Sequence, residues 1–216
     1  MIYTVDELKR EIRVALDMNN SSTPLSELGD VDTLTLEDVI ESKIADAARV
    51  VESIAPMPLL DTGEAFAVSI GWDSAIGYGS GHIRLPDDFL RLISFQMSDW
   101  DYAVTEAITE TSPLYSRQHS RFPGIRGCPQ KPVVAIIMQP IGLVMEFFSC
   151  TGGNGVYVKR ARYIPIPKIE DGNIKICEKL KPAVVYYAAY MTALTIGEAE
   201  QANTLLAMSK ELMGLE

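Results

Sequence analysis

Hydrophobic residues recur at helical spacing near both ends of the chain, but not in its middle. Thr4 with Glu7 forms a capping-box pattern, and the apolar positions that follow share one helix face: Val5, Leu8, Ile12, Ala15 and Leu16. Thr35 with Asp38 opens a second helix, whose stripe is Leu36, Ile40, Ile44, Ala47, Val51 and Ile54. Pro56 and Pro58 should end it. Near the other end, residues 178–196 and 198–213 predict a helical hairpin that turns at Gly197.

The middle of the chain has the pattern of strands. Residues 65–169 hold short apolar runs separated by Gly, Pro and Ser, with many β-branched and aromatic residues. We predict strands near residues 65–70, 82–85, 90–97, 133–139, 143–149 and 157–164. Residues 140–142 should turn a hairpin. Residues 71–81 and 109–131 are predicted to be long loops, which in compact proteins are usually functional or flexible.

These patterns together predict the architecture. Each terminal helix pair is amphipathic and must bury its apolar stripe, and the nearest partner is the other pair. We therefore predict an α+β protein in which residues 1–60 and 172–216 form a four-helix bundle. An antiparallel β-rich module, residues 61–171, is inserted between the two helix pairs.

Composition limits the class of protein. Of 216 residues, 47% are hydrophobic and 22% charged, which is typical of a folded globular chain. No run approaches the roughly 18 apolar residues that cross a bilayer, so we expect no membrane association and assembly in a cytoplasm. Cys128, Cys150 and Cys177 have no CxxC spacing. We interpret them as buried or incidental thiols and predict no metal and no cofactor.

Charge is unevenly distributed along the chain. Residues 1–64 carry 14 acids against 5 bases, and the net charge of the whole chain is −10. Such a surface repels phosphates, so sequence-specific DNA binding is not expected. Residues 111–145 are an exception, because they contain no acid and carry four bases: Arg117, Arg121, Arg126 and Lys131. They are either a solvated loop or a docking surface for an acidic neighbouring subunit or for DNA.

Several residues raise the question of chemistry. Asp87 with Asp88, and Asp99 with Asp101, are paired carboxylates, but turn positions explain the first pair better than catalysis does. His82 lies in a strand pattern and His119 in a polar loop, without the context of a nucleophile and base. We therefore predict no enzymatic activity. Tyr78, between glycines, is an exposed interaction tip in one interpretation and an ordinary loop residue in the other.

One passage resembles a known family. Residues 83–95, Ile-Arg-Leu-Pro-Asp-Asp-Phe-Leu-Arg-Leu-Ile-Ser-Phe, resemble the strand, Leu-Pro-x-Asp-Phe, strand passage of the head-to-tail adaptor, or tail tubular, proteins of tailed phages. The order downstream is also similar: a polar loop, Lys131-Pro132-Val133-Val134-Ala135, a hairpin, Ala161-Arg162-Tyr163-Ile164-Pro165 and a Tyr/Ala-rich helix. The resemblance covers about residues 40–213 and depends on this order.

The resemblance implies a function. Members of this family, which includes ring proteins of crAss-like phages, form homo-oligomeric rings, commonly of twelve copies, between the portal and the tail. It implies a non-enzymatic virion protein of the neck, with DNA passing through the ring lumen. Two alternatives stay open: a ligand-binding module or enzyme that uses the β segment, and a tail-assembly factor absent from the finished particle. The candidate interface residues are Arg117, Arg121, Arg126, Lys131 and Tyr78.

Overall fold

The computed structural model describes residues 1–16, 35–66, 68–73, 79–120, 122, 124–148, 150–151 and 155–215. Its helices are α1 (Val5–Ala15), α2 (Leu36–Ile54), α3 (Pro113–Gln118), α4 (Lys181–Ile196) and α5 (Ala199–Met213). Its strands are β1 (Ile2–Thr4), β2 (Glu64–Ala65), β3 (Ile70–Trp72), β4 (Gly81–Arg84), β5 (Phe89–Met97), β6 (Ile108–Thr109), β7 (Val134–Gln139), β8 (Gly142–Phe147), β9 (Val158–Pro165), β10 (Ile169–Glu170) and β11 (Asn173–Lys175). They form two compact units, unit 1 (Met1–Asp61 with Ile166–Glu216) and unit 2 (Thr62–Pro165).

Local sequence signals place the first helices. The Thr4 hydroxyl accepts a hydrogen bond from the Glu7 backbone at 3.2 Å, and Thr35 with Asp38 makes both bonds of a capping box. These bonds satisfy amide groups that a helix start leaves without partners. Five residues of the predicted α2 stripe are buried, whereas Ile54 is 47% exposed because it is the last residue of the helix.

The predicted four-helix bundle is wrong. The protein is α+β, but about 28% of it is strand in three sheets, and unit 1 contains one of them, with the order β1-β11-β10. Helix α4 makes extensive contacts with α1, α2 and α5, so these helices pack around a central one. Its composition explains this arrangement, because α4 is apolar on several faces and buries a long series: Ala183, Val184, Val185, Ala188, Ala189, Thr192 and Ala193.

Ion pairs add to the helix packing of unit 1. Lys9 of α1 contacts Glu41 of α2, and Arg13 contacts Glu37 at 2.8 Å. Lys181 of α4 lies 2.6 Å from both Glu7 and Glu11 of α1. Each pair is partly exposed, so we assign these contacts to helix pairing and not to a large gain in stability.

Unit 2 is built from two sheets. One has the order β3-β4-β8-β7-β6, in which only the β6–β7 pair is parallel, and the other has the order β2-β9-β5. The predicted hairpin is present, with Gln139 opposite Gly142. The core of the unit is centred on Phe95, Phe147, Met97, Ile83 and Met145, all less than 2% exposed. Phe95 also contacts Trp100 edge-on, with ring centroids 5.5 Å apart.

The passage that resembles phage adaptors forms a corner inside unit 2. Asp87 and Asp88 form a turn between β4 and β5, which the Phe89 amide closes by donating to the Pro86 carbonyl at 3.1 Å. Arg84 pairs with Asp87 at 3.1 Å. Phe89 stacks on Tyr163 of β9, with centroids 5.8 Å apart, and the Tyr163 hydroxyl donates to Asp88 at 3.0 Å. Asp99 accepts bonds from the backbone and hydroxyl of Thr151. All three aspartates therefore have structural partners, and Asp87 and Asp88 lie in a turn.

Unit 1 contains a buried carboxyl group. Glu52 of α2 is 2% exposed, and its Oε1 accepts a hydrogen bond from the Cys177 backbone at 2.7 Å. Burial raises the pKa of Glu52 above its usual 4.5, although the bond from Cys177 opposes the shift. Consider a carboxyl group whose pKa is higher in the folded state than in the unfolded state. It makes its full contribution to stability at pH values below the unfolded pKa, and this contribution is lost as the pH rises through the folded pKa.

We predict that Glu52→Gln keeps the hydrogen bond from Cys177 but removes the ionisable group. The amide oxygen can still accept from Cys177, but it cannot ionise, so the variant should match wild type near pH 4 and exceed it in stability near pH 8. Urea unfolding followed by circular dichroism measures the free energy of unfolding at both pH values. Glu52→Leu is the control, which should be destabilised at both because the Cys177 amide loses its partner. Equal pH profiles for wild type and Glu52→Gln would contradict the prediction.

Candidate functional site

Helix α3 lies inside the segment that the sequence predicted to be a loop. Pro113 is at its first position, and the Ser112 hydroxyl accepts a bond from the Leu114 backbone at 3.3 Å. The loop prediction for residues 109–131 was therefore wrong for this part. The Ser-Pro pair was a usable signal of a helix start, but the helix has only 6 residues and shows no clear periodicity.

A hydrogen-bond network anchors α3 on the five-stranded sheet. The Tyr115 hydroxyl donates to Glu146 Oε2 of β8 at 2.8 Å, and Gln139 Nε2 of β7 donates to Oε1 at 3.3 Å. Burial, together with this carboxylate, raises the pKa of Tyr115 to about 12. Aromatic contacts add to the network, because the His119 ring lies 5.1 Å from the Tyr115 ring and 5.4 Å from the Phe148 ring.

Gln118 connects α3 to the chain that follows it. This side chain is 3% exposed, and its Oε1 accepts a bond from the Gly127 backbone at 2.8 Å. Because Gln118 follows Arg117 and Gly127 follows Arg126, the bond brings the backbones of these two predicted interface residues close together. Lys131 is exposed in a tight turn. Its backbone amide donates to the Cys128 carbonyl, and its carbonyl accepts from the Cys128 amide.

The predicted interface residues do not all play one role. Arg117 is exposed at the end of α3, whereas Arg126 is half-buried and its Nη1 is shielded from solvent. We therefore assign Arg126 to the packing of the segment itself. Arg121 and Tyr78 lie outside the described residues.

Large apolar side chains surround Arg117 in sequence and are exposed. Phe122 is 69%, Ile125 52% and Leu114 46% exposed. We call Leu114, Arg117, Phe122 and Ile125 the α3 surface. Aromatic residues and arginine are enriched at protein–protein interfaces, and exposed apolar side chains close to one another are a feature of such sites. The bases of this segment are visible in the sequence, but the exposure of these apolar residues is not, because an aperiodic segment does not show which side chains face solvent.

Unit 1 has an apolar groove of its own. The groove has a volume of about 510 Å³ and is lined by side chains of α1, α4 and α5, including Val14, Val185, Tyr186 and Met208. Val14 is 75% and Met208 42% exposed. Tyr186 is half-buried in this helical groove.

Unit 2 also contains a polar cleft with the residue types of acid–base chemistry. It measures about 60 Å³ and is lined by Asp73, Ser80, Gly81, His82, His119, Glu146 and Phe148. A serine nucleophile needs a hydrogen-bonded base, yet Ser80 is 3% exposed and its hydroxyl has no partner among the described residues. No group of three or more His, Cys, Asp or Glu in the described residues is placed to hold a metal ion.

The cysteines differ in exposure. Burial raises the pKa of the Cys150 and Cys177 thiols to about 12, so both stay protonated at neutral pH. Cys128 is partly exposed.

We predict that only Cys128 reacts rapidly with Ellman's reagent in the folded protein. The thiolate is the reacting species, and both buried thiols are protonated. Cys128→Ser should remove the fast phase, whereas urea should expose the remaining two thiols. A fast phase of more than one thiol per native chain would contradict the burial described for Cys150 and Cys177.

We also predict that the network around Glu146 keeps α3 on the sheet. Tyr115→Phe removes a bond to a carboxylate, which is worth about 1.5–3 kcal/mol, and should speed tryptic cleavage after Arg117 by about tenfold or more. The faster cleavage should already appear well below the melting temperature of unit 2, because Tyr115 lies outside its core cluster and α3 can open locally. Tyr102→Phe is the matched control, since Tyr102 is 51% exposed. Equal cleavage rates in both variants would show that the network does not hold α3.

The chain was compared with known proteins. No protein-family model matches it, and no curated protein matches it in sequence.

Proposed function

We propose that this protein is a structural subunit of a phage head-to-tail connector ring, which joins the portal to the tail in the neck of the virion. Its partners would be further copies of itself, about twelve by the resemblance, together with the portal and a tail or further ring protein. DNA would pass through the lumen without sequence-specific contacts.

The observation that carries the proposal is that the chain exposes two different apolar surfaces. The α3 surface belongs to unit 2, and the groove lined by Val14, Val185 and Met208 belongs to unit 1. A closed ring needs heterologous contacts, in which one patch of a subunit contacts a different patch of the next. A chain with two unlike surfaces meets this requirement.

The anchoring of α3 also supports the proposal. Tyr115, Gln118 and His119 bind the segment to its own unit, so Phe122 and Ile125 are presented on a folded support. A preorganised surface loses less conformational entropy when a partner binds. This arrangement favours assembly over the alternative of an enzyme, because Ser80 in the polar cleft has no base bonded to its hydroxyl among the described residues.

Membrane association has no support from the helices. Within the described ranges, no helix combines the length and the apolar character that a bilayer span requires.

Native mass spectrometry of the purified protein, alone and mixed with a portal ring, tests the proposal. We expect a mass of about twelve subunits, either alone or only with the portal. Phe122→Asp should abolish this species and keep the monomer folded, because a buried unpaired carboxylate at an interface costs several kcal/mol at every equivalent contact.

Met138→Asp is the matched control. Met138 is 73% exposed on β7, so its replacement changes charge and apolar area similarly outside the α3 surface. It should assemble like wild type. A wild-type protein that stays monomeric with and without a portal would contradict the proposed function.

A further inference from the structure

Strand β9 carries a group of exposed bases outside the α3 surface. Lys159, Arg160 and Arg162 are all exposed. In the part of the chain that the structure describes, none of the three forms an ion pair, and Arg162 makes one recorded hydrogen bond, from Nη1 to the Gly63 carbonyl at 3.2 Å. We call these three residues the β9 bases.

The sheet around β9 supplies no neutralising partner in register. Arg160 and Arg162 are two residues apart, so they project from the same face of the strand. Their partners on β5 are Gln96 and Ser94, and Arg162 faces Ala65 on β2. Opposite charges across a strand pair are stabilising, but here the opposing positions are neutral. The two guanidinium groups therefore lie on one face of the strand, and none of these opposing residues supplies a carboxylate.

The net charge of the chain is concentrated in unit 1. Unit 2 contains nine acids and nine bases, and the remaining 20 acids and 10 bases belong to unit 1, which therefore carries the whole net charge of −10. In unit 1, Lys9, Arg13 and Lys181 already contact acids. Further acids of its helices are exposed: Asp6, Asp46, Glu198, Glu200 and Glu211.

We infer that the β9 bases bind the acidic helices of unit 1 in a second copy of this chain. This inference rests on the proposed ring and names a polar contact within it, separate from the apolar contacts of the α3 surface. Because each copy has both a basic strand and acidic helices, the contact repeats from copy to copy. Arginine favours such a role, since its planar guanidinium forms paired hydrogen bonds with carboxylates.

A second copy fits these bases better than duplex DNA does. A DNA surface must attract phosphates over a distance, but the chain as a whole is strongly acidic and repels them. The β9 bases are only three, whereas exposed carboxylates are numerous on unit 1.

The double variant Arg160→Glu/Arg162→Glu tests the contact. It should fold like wild type, because both side chains are exposed, and lose at least about tenfold in subunit affinity at moderate salt, measured by sedimentation with and without portal. Wild-type affinity should also fall as salt is raised from about 0.1 to 0.5 M. The control Arg84→Glu/Lys168→Glu changes the net charge equally at two other exposed bases and should assemble normally.

Cross-linking identifies the partner directly. Carbodiimide joins Lys159 to carboxylates in contact with it, and a mixture of ¹⁵N-labelled and unlabelled protein distinguishes links between copies from links within one. We expect mixed-isotope links from Lys159 to acids of residues 1–61 or 166–216.

Several results would overturn the inference. Normal assembly of Arg160→Glu/Arg162→Glu would reject it and leave the ring proposal standing. Cross-links from Lys159 that reach only acids of unit 2, or that form only within one copy, would also reject the inference and leave the ring proposal standing. If the variant assembles but loses binding to a fluorescent 20-bp duplex, the bases bind DNA instead. A wild type that never assembles would contradict both proposals.

Discussion

The pairing of β1 with β11 is the constraint on which the organisation of unit 1 depends. Tyr3 lies opposite Ile174, so the start of the chain is bonded to the segment that returns from unit 2. Thr4 ends β1 and also caps α1, while β11 leads through a short 3-10 turn into α4. Closing so long a loop costs entropy. Burial of α4 against α1, α2 and α5 provides the favourable term that offsets it.

Unit 2 is inserted between the two segments of unit 1, and the two units carry different kinds of surface. Unit 1 carries the net charge and an apolar helical groove, and unit 2 carries exposed bases and the α3 surface. Both have the apolar and charged groups that protein partners use. The proposed connector role requires such surfaces.

The elements that could be predicted from the sequence are those that local signals determine. Thr35 with Asp38 and the α2 stripe located a helix, and the run from Val134 to Gln139 located a strand with its hairpin. Long-range pairing was not predictable: β1, β10 and β11 have two or three residues each, too few to show a period, so the sheet in unit 1 was missed and a bundle was expected instead. In the candidate site, the charge of Arg117 was visible, but the burial of Gln118 and the exposure of Phe122 depend on tertiary contacts.

Amide hydrogen exchange, measured on the free subunit and on the assembled particle, tests the central claim most directly. If the chain is a ring subunit held by its two apolar surfaces, assembly should slow exchange in residues 114–125 and in the segments of α1 and α5 around Val14 and Met208. The core strands, including Phe95 and Phe147, should not change. Unchanged exchange in both apolar surfaces, in a particle that contains the protein, would contradict the account.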